Sequence, residues 1–368
     1  MKKYLLAIII SSTILISGCN ENRQIRPPIE DLSLVSSIGF DIADNQQFRM
    51  TVGIPQPPGN STELTQVYSV NTEMIQEGLA KLSSEADKML VLNQLRTLLF
   101  SEEFARSGKI TEVVELLYRD STLGNKVRIG IVDGQAEDVL SANYPENQHM
   151  DAYLNDLLQP KFHNSFAPFT SIHDYINTQT SPVYHTMIPY IEKKGSSLEV
   201  TKIALFDNKR MVDTISTAQS LLIQALSGLN KLSPFAITFK DNAIDHQAFF
   251  ERIDNKVKIK SNKDIHNPKV DIEFTIKAVL IEYKGTRDLE KKGELKKLNE
   301  EINKHLQKEI EDTLENLRDM ELDPAGITEK FRMHYKGRWT EELTKQVIAS
   351  SEYNVKVNFL IRNAGTTK

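Results

Sequence analysis

Side-chain chemistry in this chain would have to start from one thiol, eight imidazoles and a few pairs of neighbouring carboxylates. The histidines, at positions 149, 163, 173, 185, 246, 266, 305 and 334, are scattered and include no His-x-x-x-His pair. With no second cysteine either, the spacing that would place two zinc ligands on one helical face is missing. Glu102-Glu103 and Glu300-Glu301 carry the groups for acid and base roles. Adjacent residues on a helix do not face one another, however, and a charged helical face explains both pairs. No Gly-x-Ser-x-Gly, phosphate loop or dinucleotide fingerprint occurs. These residues point to no catalytic group, cofactor or metal site, and the missing motifs argue against a surface hydrolase.

The thiol has another use. Cys19 stands behind a short basic start, Met1-Lys2-Lys3, and an apolar run from Tyr4 to Ile16. That is the layout of an export signal, and the run is shorter than the ~20 residues a helix needs to cross a bilayer. Ile16-Ser17-Gly18-Cys19 resembles a bacterial lipobox. In that pattern the small residues Ser17 and Gly18 admit the signal peptidase, and the sulfur of Cys19 takes a diacylglyceryl group before cleavage makes it the N-terminus. Each buried methylene contributes about 0.8 kcal/mol, so two or three acyl chains suffice to anchor a water-soluble fold. Residues 1–18 are therefore expected to be a signal peptide and 19–30, with Pro27-Pro28, an extended tether.

The formal net charge is −5, and cleavage before Cys19 would remove two lysines more. Nothing in that balance favours nucleic acid as a partner. A chain of this length with 40% apolar residues divides into two or three domains.

The elements that would position any site can be read from periodicity. Leu32, Leu34, Ile38, Phe40 and Ile42 share one face of a strand; Phe48, Met50, Val52 and Ile54 share another after an Asp44-Asn45 turn. A helix from about Thr72 carries Ile75, Leu79, Leu82 and Ala86 on one stripe. "LRTLLFSEEFARSG" reads as strand, short helix and glycine stop. A second amphipathic helix, with Ile110, Val113, Val114 and Leu117, leads into the strand "KVRIGIV". Residues 141–196 are broken by five prolines, with short helices near 150–158 and 171–177. The charged, Gly- and Ser-containing "EKKGSS" at 192–197 marks the main boundary. Beyond it come two strands around Asp207-Asn208, a helix with Leu222, Ala225, Leu226 and Leu229, and strands centred on Val270–Ile276 and Tyr353–Ile361. The longest helix, 294–320, has Leu295, Leu298, Ile302, Leu306, Ile310, Leu314 and Leu317 on one stripe. Steps of mostly four drift from a strict heptad, so the helix should pack on its own sheet and not form a coiled coil. The expected fold is α+β, with domains over 31–140, 141–196 (smaller and irregular) and 197–368.

Several segments in this order resemble the Ger(x)C family of spore germination lipoproteins, the C subunits of nutrient germinant receptors. They are the lipobox cysteine, "SIGFD" at 37–41, "LLYRDS" at 116–121, "IALFDNKRMVDT" at 203–214, the long charged helix, "LDPAGI" at 322–327, Trp339 and a closing "VKVNFLIRNAG". The resemblance covers nearly the whole chain. It departs from the family at Val212-Asp213-Thr214, where a glycine is common, at Asn93 or Gln94 in place of a histidine, and in having a single tryptophan near the end. It implies three sheet-centred domains and a non-enzymatic subunit on the outer face of the spore inner membrane. Its partners would be integral membrane A and B subunits, and direct nutrient binding would fall elsewhere, the B subunit being the expected binder.

Aromatic and arginine residues dominate protein interfaces, so Tyr335, Arg338 and Trp339 are candidate partner contacts, with core packing the competing explanation for the tryptophan. The loop "PQPPGNSTE" at 55–63 is a second candidate contact. A transporter-linked binding lipoprotein is the alternative function; it requires a cleft between two similar α/β lobes, and the mixed strand order argues against that.

Overall fold

The computed structural model describes residues 27–56, 65–147, 149–159, 168, 170–241 and 244–364. The fold is α+β, built on two large sheets and one small one.

The chain begins with Leu32–Leu34 (β1), Ser37–Ile42 (β2), Phe48–Pro55 (β3) and Thr65–Thr72 (β4), followed by the helix Ile75–Glu85 (α1). Met89–Val91 (β5) and Thr97–Ser101 (β6) precede Glu102–Ser107 (α2) and Ile110–Tyr118 (α3). Arg128–Val132 (β7) leads to three short helices, Ala136–Leu140 (α4), Met150–Leu157 (α5) and Ile172–Thr180 (α6). Met187–Lys194 (β8), Ser197–Phe206 (β9) and Met211–Ser216 (β10) complete an eight-stranded sheet ordered β10-β9-β8-β7-β6-β2-β3-β4. Its centre, β2, β6, β7 and β8, is parallel, and antiparallel hairpins extend it on both sides.

Parallel strands are covered on both faces, and here the covers differ. On one face Phe40, Phe100 and Phe104 pack with ring centroids 5.3 to 5.9 Å apart, beneath α1, α2, α3 and α6. On the other, α4 and α5 bring Ala136, Leu140, Leu154 and Leu158 against Leu99 and Val132. Gly39 makes this possible, because a Cβ there would lie 2.9 Å from Cβ of Ala136. The alternation expected of a half-buried β2 is therefore overridden: Ser37, Gly39 and Asp41 are buried as well. The expected single strand over 32–42 is also split, with β1 leaving the main sheet to pair in parallel with β5.

The stretch 192–197, expected as the main boundary, is the turn of the β8–β9 hairpin, with Lys194 paired to Ser197. Glycine, serine and charge mark a hairpin turn as readily as a linker.

The second part contains Thr217–Leu226 (α7), Lys231–Leu232 (β11), Phe235–Asp241 (β12), Ile244–Ser261 (β13) and Lys269–Lys284 (β14). The long helix Glu294–Asp319 (α8) follows, then Glu329–Arg332 (α9), Glu341–Ser350 (α10) and the last strand, Glu352–Ala364 (β15). β13 and β14 are antiparallel, whereas β14 and β15 are parallel, the crossover being made by the helices. Leu298, Ile302, Leu306, Ile310, Leu314 and Leu317 of α8 are buried with Ile272, Phe274, Ile276, Val355 and Phe359 of the sheet, as the stripe predicts. On the opposite face of β14, Asp271 and Glu273 are exposed. One apolar cluster runs from beneath the first sheet, through α7, into this second core.

Candidate functional site

Three places gather polar or aromatic side chains. The first is a cleft of about 430 Å³ at the carboxyl ends of β2 and β6, lined by Asp41, Ser101, Glu102, Arg106 and Gln135 among others. Open α/β sheets bind ligands outside the carboxyl ends of their strands, at topological switch points, so the chemical state of each group matters. Asp41 is buried, and its carboxylate accepts hydrogen bonds from the amides of Ala136 (2.7 Å) and Glu137 (3.0 Å), tying β2 to the start of α4. Burial pushes its pKa up, against the pull of those amides. Arg49 on β3 grips Glu137 with two nitrogens, one of them 2.7 Å from Oε1, and holds that carboxyl below its usual range. The Tyr190 hydroxyl lies 2.5 Å from Glu102 Oε2 and 3.1 Å from Asp133 Oδ1. Burial and the two carboxylates together drive the phenol far up. Burial also tends to raise Glu102, but hydrogen bonds from Tyr190 and Arg106 outweigh it and hold the group low. Arg106 in turn donates to the Val212 carbonyl at 3.0 Å, so the network fastens α2 to β10. Asp41, Ser101, Glu102 and Arg106 are each engaged by another group, and the result is a polar clasp across the top of the sheet.

The second place joins the two sheets. "LDPAGI" forms a tight loop around Asp323, whose carboxylate accepts from the amides of Ile327 (2.8 Å) and Thr328 (2.7 Å) and from the Thr328 hydroxyl (2.6 Å). Gly326 turns at φ +70°, and a Cβ there would meet the ring of Tyr184 at 2.1 Å. The amide of Asp323 donates to Nδ1 of His185 at 2.9 Å, and the amide of His185 donates back to the Asp323 carbonyl. Nδ1 is thereby an acceptor, so the imidazole is neutral with its proton on Nε2. Burial brings its pKa down to about 4. No motif marked His185; it could be found only as a histidine just before an apolar strand.

The third place holds the residues expected at an interface. Trp339 is only 8% exposed. Its indole N–H donates to the Thr344 hydroxyl at 2.7 Å, which donates onward to the Pro182 carbonyl at 2.5 Å. Tyr335 packs edge-on against it, with centroids 5.5 Å apart, and stays partly open to solvent, as does Arg338. The tryptophan thus fastens α10 to the segment before β8, and Tyr335 and Arg338 form the outer part of the group. Ile16, Ser17, Gly18 and Cys19 lie outside the described residues, as does most of the loop at 55–63.

The remaining histidines stand apart: His173 beside Tyr118, His246 beside Tyr283, His305 beside Glu309. Among the described residues no group of three His, Cys, Asp or Glu is placed to hold a metal ion. Nor does any described helix have the length and apolarity to cross a membrane.

Comparison with known proteins gives a consistent picture. The family model described as "Spore germination protein N-terminal domain" matches residues 26–193, and "Spore germination B3/GerAC like, C-terminal" matches 201–365. Among curated relatives, the chain is 25% identical to spore germination protein GerQC of Bacillus cereus over 368 residues, the full length of both. It is 21% identical to spore germination protein KC of Bacillus subtilis, covering 99% of this chain and 97% of the relative. The crystal structure of the GerBC protein superimposes with a TM-score of 0.58 at 14% identity, over 89% of this chain and 97% of that one. At that identity the likeness speaks to the fold.

Proposed function

Because the chain belongs to the family of spore germination proteins of the B3/GerAC type, we propose that it is a lipid-anchored, non-catalytic subunit of a germinant receptor. In this reading Cys19 carries the acyl chains and holds the fold on the outer face of the spore inner membrane. The chain works there with two integral membrane subunits, A and B, in nutrient-triggered germination. Tyr335 and Arg338 belong to the surface we assign to partner contact.

The observation that carries the reading is the position of the family match. It starts at residue 26, seven residues behind the lipobox cysteine, and continues to residue 365. The polar groups of the cleft support the non-catalytic part, because they bind one another across strands and helices. A binding lipoprotein serving a transporter would need a cleft between two similar lobes. The two sheets here differ in strand number, strand direction and helical cover.

The test is nutrient-triggered release of dipicolinic acid from spores whose other receptors are deleted. Removing this chain should abolish release, the intact gene should restore it, and Cys19→Ala should restore it poorly. Unchanged release across a broad panel of nutrients would refute the assignment.

A further inference from the structure

A small apolar surface stands beside the start of the fold, outside both cores. β1 and β5 pair in parallel with Leu32 opposite Met89, Ser33 opposite Leu90 and Leu34 opposite Val91. Side chains alternate along a strand, and paired residues share a face. Leu90 is buried in the core beneath the sheet, so Ser33 and Leu90 face inward. Leu32, Leu34, Met89 and Val91 therefore share the outer face, Leu34 and Met89 exposed and Leu32 and Val91 half-buried. None of the four belongs to either apolar cluster or packs against one. Met89 is 54% and Leu34 39% exposed, and Ile29, in the turn just before β1, is 82% exposed. No polar side chain of either strand interrupts this face, and contiguous exposed apolar surface marks a contact site.

We propose that this face dips into the lipid surface next to the anchor, fixing the orientation of the fold on the membrane. The inference rests on the lipid-anchor reading of Cys19. Eight residue steps separate Cys19 from Pro27, so a lipid on that sulfur lies at most about 29 Å along the chain from the first described residue. The bilayer is the surface the tether keeps within reach. The ribbon is also too small for a stable protein interface, which takes about 800 Å² from each partner. Shallow apolar insertion needs less, and a second weak signal beside an acyl chain is how stable membrane attachment is commonly achieved. Around the face, Glu30, Asp31 and Asp87 outnumber Lys88, all exposed, so attraction to anionic headgroups is not the driving force. Zwitterionic lipid should suffice.

The single cysteine makes the test direct. Residues 19–368 are coupled through Cys19 to maleimide-headgroup lipid in phosphatidylcholine vesicles whose acyl chains carry bromine, a contact quencher of tryptophan. Trp339, being buried, supplies the unquenched baseline. Met89→Trp should add emission that is lost to bromine, whereas Leu116→Trp, at another exposed apolar position on α3, should add emission that bromine leaves alone. Leu34→Asp in the Met89→Trp chain should remove the quenching while the circular dichroism spectrum stays unchanged. Added emission that bromine fails to quench in the coupled Met89→Trp chain would overturn the proposal, and so would equal quenching at positions 89 and 116. Protection of Met89 from oxidation only in membranes that contain the other receptor subunits would overturn it too, and assign the face to a protein. Chemical coupling supplies the anchor whatever the cell does at Cys19. A missing acyl group in the native protein would therefore sink the anchor reading without changing this result.

Discussion

The two large sheets solve the same burial problem in opposite ways. The first covers its parallel centre with helices on both faces, and β2, β6 and β7 are buried nearly throughout. The second lays one face on α8 and leaves charged side chains of β14 in solvent on the other. In the first, small residues decide the packing: Gly39 admits α4, and Asp41 then caps it from a neighbouring strand. In the second, periodicity decides it, with every other residue of β14 buried from Val270 to Leu280. Tight two-sided burial makes the first sheet sensitive to single atoms, whereas the second tolerates change over half its surface.

The largest effect should come from the aromatic stack of the first sheet. Phe100→Ala removes a fully buried ring between Phe40 and Phe104 and should cost about 3–5 kcal/mol, read by urea unfolding. At the seam between the sheets, stability should depend on pH through His185. Its folded pKa of about 4 lies below the ordinary 6.5, so the unfolded chain takes up the proton first. Stability is intact above about pH 6.5 and is lost as pH falls toward 4, by about 3 kcal/mol. His185→Asn keeps an acceptor for the Asp323 amide and should flatten that slope; an unchanged slope would move the effect to other groups. Next, Gly39→Val forces a side chain into α4 and should destabilise by about 1–3 kcal/mol.

Smaller effects belong to the second sheet. Its outer strand β15 has a free edge, and α8 covers part of it. The Asn303 side chain accepts from the Phe359 amide at 2.6 Å and donates to its carbonyl at 3.2 Å, while Asn299 accepts from the Ile361 amide at 3.2 Å. Asn303→Leu leaves two backbone groups without partners and should cost about 1–3 kcal/mol. Light scattering should also detect more self-association, since an uncovered edge invites pairing. Lys258→Ala, which breaks only an exposed pair with Glu273 at 3.8 Å, should stay within about 0.5 kcal/mol of the parent. A larger loss there would mean the open face is less tolerant than its exposure implies.

The same contrast governs what could be read in the sequence. Where one face of an element is solvated the pattern was plain: the stripe of α8, the alternation of β14 and β15, and the short helices near 150 and 172 appear close to their expected positions. Where both faces are buried, alternation misled. Gly39 and Asp41 look like the solvent side of a strand until α4 is placed over them. β4 escaped notice because "TQVYSVNT" is an edge strand with few large apolar residues, and Thr72, expected to cap α1, ends that strand instead. The stretch at 192–197 is a hairpin turn between two strands of one sheet, and it also falls where the two family matches, 26–193 and 201–365, divide. Strand β10 and the part of β9 from residue 201 lie within the match to the C-terminal family model but complete the sheet of the N-terminal one, so the two matched segments interlock. The polar groups of the cleft and the seam were invisible singly, because their partners stand far away in the chain: Asp41 with Ala136, Tyr190 with Glu102, His185 with Asp323. Trp339 was legible as an important aromatic; its partners, Thr344 and Pro182, reveal it as a fastener inside the fold.

The claim on which the function rests most heavily is that one lipidated residue carries a fold with no described membrane-spanning helix to the membrane. The direct measurement is fractionation of spore inner membranes after an alkaline wash, with the mass of the N-terminal peptide determined. The account predicts that the wild-type chain is retained, that its first residue is Cys19 bearing a diacylglyceryl group, and that Cys19→Ala washes into the soluble fraction. A Cys19→Ala chain retained at the wild-type level, or a wild-type chain that still begins upstream of an unmodified Cys19, would contradict it.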